Sequence, residues 1–245
     1  MEWTEGVVRS KRIWSPGLFT LAIEAPEVQT FEPGQFLQLG IERPEGQLHR
    51  PYSVASPPGD LLEFFIVLVE TGQLTPLLWQ MEPGARIGVS KKAAGGFTLK
   101  RCPDASTLWM IGTGTGLAPY IAMLRCPEVW RRYEKLVLVH GVRHVADLAY
   151  QDEIAGYSEQ WGSRFVFAPV ISREQAPGAL FGRITRCLMD GSLETISQSR
   201  ISPESCVMMC GNPDMLDEME KLLGERGLHR HRHSHPGQIV VERYW

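Results

Sequence analysis

The spacing of apolar positions changes partway along the chain. Up to about residue 100 the apolar runs are short: FTLAIEA (19–25), QFLQLGI (35–41) and LLEFFIVLV (61–69). Gly and Pro pairs in SPGL, EPGQ, SPPGD and EPGA separate them. The first and third runs alternate as half-buried antiparallel strands do, and many short strands with regular turn signals predict a barrel or sandwich. A helical interruption is expected at LTPLLWQM (74–81).

Beyond about residue 102 apolar runs alternate with longer helical segments. STLWMIG (106–112) precedes LAPYIAMLRCPEVWRRYE (117–134), and KLVLVHGV (135–142) precedes ADLAYQDEIAGYSEQW (146–161). RFVFAPVIS (164–172) precedes RITRCLMDGSLETIS (183–197), SCVMMCG (205–211) precedes DMLDEMEKLLGERG (214–227), and QIVVERYW (238–245) closes the chain. This rhythm predicts a parallel sheet covered by helices. The texture changes within FTLKRCPDAST (97–107), so two domains are expected, 1–101 and 102–245.

Composition narrows the class. A length of 245 residues suits two modest domains, and 43% hydrophobic with 22% charged residues is ordinary for a soluble globular protein. The net charge of −3 gives no global attraction to nucleic acid. No apolar run approaches the roughly 20 residues of a membrane span, and the polar start MEWTEGVVRS is not expected to be a secretory signal. Five unclustered cysteines predict reduced thiols in a cytoplasmic compartment and exclude a fused iron–sulfur module. Nothing signals an oligomer, and a monomer is the default. HRHRHSH (229–235) lacks a carboxylate pattern and interleaves cationic arginines, so it reads as a basic exposed connection and no metal is expected.

The candidate chemistry starts at LWMIGTGTGLAP (108–119). Gly112, Gly114 and Gly116 fall between the first strand of the second domain and its helix. Such a turn presents backbone N–H groups to a phosphate, and Pro119 suits a first helical turn. Leu117 replaces the third glycine of the G-x-G-x-x-G pattern, and Arg143 in HGVRH stands where an acidic ribose ligand is expected. Arginine at that place binds the extra phosphate of NADP instead. Arg173 and Arg183 follow the third strand and are expected at the same site. Singly, each arginine also reads as a solvated surface residue and the turn as purely structural; together they predict a Rossmann-like NADP domain.

The first domain carries a second constellation. HRPYSVASPP (49–58) packs an arginine, a tyrosine and a serine into four residues, expected to follow a strand: Arg50 can neutralise a phosphate, Tyr52 can lie flat against an aromatic ring, and Ser53 can offer a hydroxyl to a ring nitrogen. In TGQLTPLLW (71–79), Thr75 and Pro76 read as an N-cap and first-turn proline, a second anion seat. A core tyrosine and a simple cap are the plainer readings of each alone; together they suit a flavin nucleotide.

RPYS, GQLTP, GTGTGLAP, CGNPDM and VERYW, in this order, resemble the bacterial ferredoxin/flavodoxin–NADP reductase family, from residue 3 to residue 245. The resemblance implies an antiparallel β-barrel holding FAD followed by an α/β parallel-sheet domain holding NADP. For FAD it implies Arg50, Pro51, Tyr52 and Ser53, then Phe65, Val67 and Leu68, then Gly72, Leu74 and Thr75, and Thr115. For NADP it implies Thr113 and Gly114 at the diphosphate, Arg143, Arg173 and Arg183 at the 2′-phosphate, and Cys210, Gly211 and Asn212 bordering the nicotinamide, with Asp214 of the NADP set opening the next helix. Tyr244 near the isoalloxazine and Trp245 against the FAD adenine are implied as well; a terminal strand packed into a seam is the alternative for this pair.

The resemblance further implies hydride transfer between nicotinamide C4 and flavin N5, with the rings about 3–3.5 Å apart, and single electrons passed between FAD and a ferredoxin or flavodoxin. Ser53, Cys210 and Glu242 are the candidates at the reacting centre; Ser53 polarises the N5 region and Cys210 limits nicotinamide entry without acting as a nucleophile. Docking is expected to be transient and electrostatic, with Lys11 and Arg12, Lys91 and Lys92, and Lys100 and Arg101 as candidate contacts. A flavin reductase or the electron-transfer component of an oxygenase is the runner-up, although such components often carry a cysteine cluster. A non-catalytic nucleotide-sensing module would have no use for RPYS or the closing aromatic pair.

Overall fold

The computed structural model describes residues 1–44, 46–232 and 234–243. They form two compact units, Met1–Thr98 with Ala118–Cys126, and Leu99–Leu117 with the chain from Pro127 onward.

The first unit is a six-stranded antiparallel sheet of β1 (Trp3–Ser15), β2 (Leu18–Glu24), β3 (Phe36–Arg43), β4 (Gly46–Ser53), β5 (Leu61–Val67) and β6 (Arg86–Ser90), ordered β4-β3-β6-β1-β2-β5. An antiparallel bridge between Val54 and Phe64 brings the end of β4 to β5 and joins the two edges into a barrel. Phe19, Leu21, Ile23, Leu37, Leu39, Phe64 and Ile66 fill its interior, with Leu78 of α1 (Thr75–Gln80). The sheet corrects two sequence expectations. β2 is buried along Leu18–Ile23 rather than on alternate residues; Trp14 lies over its outer face at Thr20, its Nε1 donating to Thr20 Oγ1 (2.9 Å) and its ring meeting Phe65 of β5 edge-on. RPYS lies within β4 rather than after a strand, and Pro51 is tolerated because β4 is an edge of the hydrogen-bonded sheet.

The second unit is a six-stranded, wholly parallel sheet. Its strands are β7 (Thr107–Thr113), β8 (Lys135–Val142), β9 (Phe165–Ile171), β10 (Leu180–Phe181), β11 (Ser205–Gly211) and β12 (Ile239–Arg243), ordered β10-β9-β8-β7-β11-β12. β7, β8 and β11 are buried almost throughout, as strands covered on both faces must be, which explains their continuous apolar runs. Two predicted helices are each broken in two. LAPYIAMLRCPEVWRRYE becomes α2 (Ala118–Leu124) and α3 (Pro127–Arg132), interrupted before Pro127, whose ring excludes continuation. RITRCLMDGSLETIS becomes α5 (Ile184–Met189) and α6 (Ser192–Ser197), separated at Gly191, φ +78°. The remaining helices are α4 (Gln151–Trp161) and α7 (Pro213–Glu225); α7 buries Leu216, Met219 and Leu223 on one stripe. None of the five cysteines is joined in a disulfide, and no described helix is long and apolar enough to cross a membrane.

Candidate functional site

The strand order of the second unit reverses between β7 and β11. Ligands of open α/β sheets bind where the carboxyl ends of strands diverge at such a switch point. Thr113 ends β7 there, and Gly211 ends β11 beside it. Thr113 sits between two glycines. A Cβ on Gly211 (φ +128°) would overlap Thr113 Oγ1, and one on Gly141 would lie 3.1 Å from Thr113 Cγ2 and 2.7 Å from Ile184 Cδ1. Both branches of the threonine are therefore seated, and Oγ1 accepts the Asn212 N–H at 2.9 Å. Asn212 in turn caps α7, its Oδ1 accepting from Asp214 N (2.8 Å) and Met215 N (3.2 Å).

The glycine turn continues as a single 3₁₀ segment, Gly114–Leu117. Gly116 approaches β11 so closely that a Cβ would stand 2.6 Å from the Cys210 carbonyl oxygen. Gly114 is the opposite case: it is exposed, φ is +53°, and a Cβ would meet nothing within 4 Å. Its carbonyl accepts from His140 Nε2 at 2.9 Å.

Arg143 and Arg173 follow β8 and β9, joined by a hydrogen bond from Arg173 N to the Arg143 carbonyl (3.0 Å). Arg183 is the N-cap residue of α5, and Gly182 N donates to the Ile171 carbonyl (2.8 Å), which holds that segment at the end of β9. All three arginines are exposed, and among the described residues none of their side chains has an ion-pair or hydrogen-bond partner. The nearby acid, Glu174, is engaged by the N–H of Val145 (2.6 Å).

Cys210 is fully buried on β11, paired in register with Gly112 of β7 and Glu242 of β12. Burial pushes the Glu242 carboxyl up to about 7. Tyr244 and Trp245 lie outside the described residues, as does His233 of the histidine-rich segment.

In the first unit, Arg50 is exposed on β4, Tyr52 is half-buried against the barrel core, and Ser53 is buried. Burial holds the Tyr52 phenol neutral, pushed up to about 12. The Val54–Phe64 bridge sets the end of β4 alongside Phe65; Val67 is exposed and Leu68 half-buried. Gly72 folds the next segment tightly, since a Cβ there would stand 2.9 Å from the Val69 carbonyl. Thr75 is not the N-cap: Leu74 precedes the helix, and Thr75 Oγ1 accepts from Val69 N (2.9 Å) and donates to Val69 O (3.1 Å). The turn at Gly72 brings Val69 back within reach and captures the hydroxyl that the sequence assigns to capping. The Leu74 side chain is a core residue, so only its main chain is available to a ligand.

Residues 110–221 match the family described as the oxidoreductase NAD-binding domain. Across 247 aligned residues the chain is 38% identical to the flavodoxin/ferredoxin–NADP reductase of Escherichia coli (strain K12), covering 100% of this chain and 99% of that protein. The chain belongs to the flavodoxin/ferredoxin–NADP reductase family. The ferredoxin–NADP reductase of Azotobacter vinelandii is 37% identical, over 96% of this chain and 95% of that one. A ferredoxin NADP+ reductase from Neisseria gonorrhoeae, crystallised with FAD and NADP, superposes with a TM-score of 0.94 at 35% identity over the full length of both chains.

Sequence reasoning missed two residues that shape the candidate site of the second unit. Gly141 makes room for Thr113, and His140 holds the glycine turn; the one available signal was a histidine inside the apolar run KLVLVHGV. The docking candidates also change. Lys11 is turned inward, donating to the Trp79 and Met81 carbonyls (3.1 and 3.0 Å) and to Glu82 (2.6 Å). Lys91 pairs with Glu27 at 2.6 Å, and Arg12 stacks 3.8 Å over the Trp14 ring. Lys92, Lys100 and Arg101 are exposed.

Proposed function

We propose that this protein is an FAD-dependent ferredoxin/flavodoxin–NADP reductase, with the FAD site on the barrel unit and the NADP site on the α/β unit, the functional counterparts of the sequence domains 1–101 and 102–245. The observation that carries the NADP reading is the set of unpaired arginines, Arg143, Arg173 and Arg183, at the strand ends next to a glycine turn whose Gly114 faces open space. Three uncompensated guanidinium groups at one sheet edge fit a phosphate monoester, and the turn, open at Gly114, fits a diphosphate.

For FAD, Arg50 supplies a cation, Tyr52 an aromatic face with its phenol kept neutral, and Ser53 a buried hydroxyl. Bound FAD supplies the hydride acceptor and divides two-electron from one-electron transfer. Ser53 orients a ring nitrogen, Cys210 restricts the nicotinamide's approach, and Glu242, neutral below about pH 7, holds a proton at its carboxyl. Asp214 acts with Asn212 at the start of α7. Thr115, Gly211, Phe65, Val67, Leu68, Gly72, Leu74, Thr75 and Pro51 complete the two sites. The protein acts as a cytoplasmic monomer and meets its carrier transiently through exposed cations such as Lys92 and Arg101.

The test is anaerobic reduction of the purified yellow protein. Rapid bleaching by NADPH but not by NADH, followed by reoxidation on adding ferredoxin or flavodoxin, is the expected result. Equal bleaching by both nucleotides overturns the arginine assignment, and a protein that takes up no FAD overturns the enzyme reading.

A further inference from the structure

His140 occupies the interior of β8 and is 0% exposed. Its neighbours in register are Gly112 on β7 and Pro169 on β9. One ring nitrogen, Nε2, contacts the Gly114 carbonyl at 2.9 Å; the other, Nδ1, is buried with no hydrogen-bond partner among the described residues. A carbonyl oxygen only accepts, so Nε2 carries the proton and donates. Burying an imidazole with one empty nitrogen costs free energy, and a strand whose other buried side chains are Leu and Val has no packing need for it. Desolvation holds the ring neutral, its pKa lowered to about 4, so this donor persists through the physiological range.

The consequence lies in the peptide plane. A trans peptide sets its C=O and N–H antiparallel. Holding the Gly114 carbonyl down toward β8 therefore turns the N–H of Thr115 up, away from the sheet. Gly114 has φ +53° and no side chain, so without this anchor its peptide is the softest point of the turn.

We propose that His140 is a positioning residue for dinucleotide binding: by donating to the Gly114 carbonyl from beneath, it fixes the glycine turn so that its amides face the diphosphate. This rests on the NADP reading above. It assigns to a residue outside the contact set the task of pre-organising that contact set, which lowers the ordering cost of binding.

The test uses FAD-loaded protein and two ligands, NADP+ and adenosine 2′-monophosphate, titrated calorimetrically. The second ligand carries the 2′-phosphate and adenosine but no diphosphate. His140→Gln reaches the Nε2 position with an amide donor; His140→Asn is equally polar but too short; His140→Leu has no donor. The Asn and Leu variants should bind NADP+ about five- to tenfold more weakly, the worth of one hydrogen bond, while the Gln variant stays within about twofold of the parent. Affinity for adenosine 2′-monophosphate should be unchanged in all three. Parallel loss of both ligands, or equal NADP+ affinity in the Gln and Asn variants, overturns the proposal. Should the Leu variant fail to fold, the Gln and Asn pair decides alone. A parent protein that binds neither ligand would instead refute the NADP reading itself.

Discussion

Two glycines of one turn make opposite demands, and replacing each by alanine separates packing from binding. In Gly116→Ala the new methyl would stand 2.6 Å from the Cys210 carbonyl oxygen, 2.9 Å from its carbon and 3.2 Å from Gly211 Cα. Favourable contacts between such atoms are about 3.5–4.0 Å, so the turn and the end of β11 must part by roughly half an ångström to one ångström. The obstacles are main-chain atoms in a close-packed interior, and no rotamer change relieves them. Overpacking of this kind costs about 1–3 kcal/mol, a fall in Tm of roughly 4–8 °C for about 2 kcal/mol in a chain of this size. In Gly114→Ala the methyl meets nothing within 4 Å, and only the left-handed φ of +53° is penalised, at about 1 kcal/mol. That methyl would stand in open space on the turn proposed to hold the diphosphate. Differential scanning calorimetry and NADP+ titration on the same FAD-loaded samples give the contrast: Gly116→Ala loses mainly stability, Gly114→Ala mainly affinity. A Gly116→Ala protein melting within about 1 °C of the parent would refute the packing argument, and a Gly114→Ala protein with parental NADP+ affinity would refute the placement of the diphosphate.

Arg143→Ala should raise KM for NADPH by about 10- to 100-fold and leave NADH kinetics unchanged, since a charge-assisted bond to phosphate is worth about 1.5–3 kcal/mol; steady-state assays with both nucleotides decide it. Glu242 is raised from its ordinary 4.5 to about 7, so its folded state holds the proton more tightly and its contribution to stability, complete below 4.5, is lost as pH rises through 7. Glu242→Gln should match the parent at low pH and exceed it at pH 8 by about 1–2 kcal/mol once solvent screening is allowed for, read from urea midpoints across that range. Carrier reduction should slow with added salt while reduction of a small neutral dye does not. Lys11→Gln should leave that salt dependence intact and lower Tm, because the Lys11 ammonium satisfies two carbonyls rather than facing a partner.

The parts of the fold that were legible in the residues are those where one local pressure dominates. β7, β8 and β11 are buried on both faces, so their sequences could only be continuous apolar runs. The glycine turn was legible because backbone meeting backbone excludes side chains, and the arginines because the strand–helix rhythm locates strand ends. β1 was not legible: WTEGVVRSKRIWS is largely polar, and its place is set by main-chain pairing with β2 on one side and β6 on the other. Lys11 gave no sign that its stem and ammonium fold back onto the Trp79–Glu82 segment, nor Thr75 that its hydroxyl closes a loop instead of capping a helix.

The sequence by itself determined the class of the two units, the turn between β7 and α2, and the arginines at the strand ends on which the proposed choice of a phosphorylated nucleotide rests, because each depends on neighbours close along the chain. Only the tertiary structure decided that α2 packs with the barrel unit while the turn before it stays with the parallel sheet, that Gly141 and Gly211 seat the two branches of Thr113, and that His140 holds Gly114. Those arrangements join residues that are distant in the chain. Steric fit and hydrogen bonding between distant segments act through the folded positions of their atoms, and no periodicity of residue types records them.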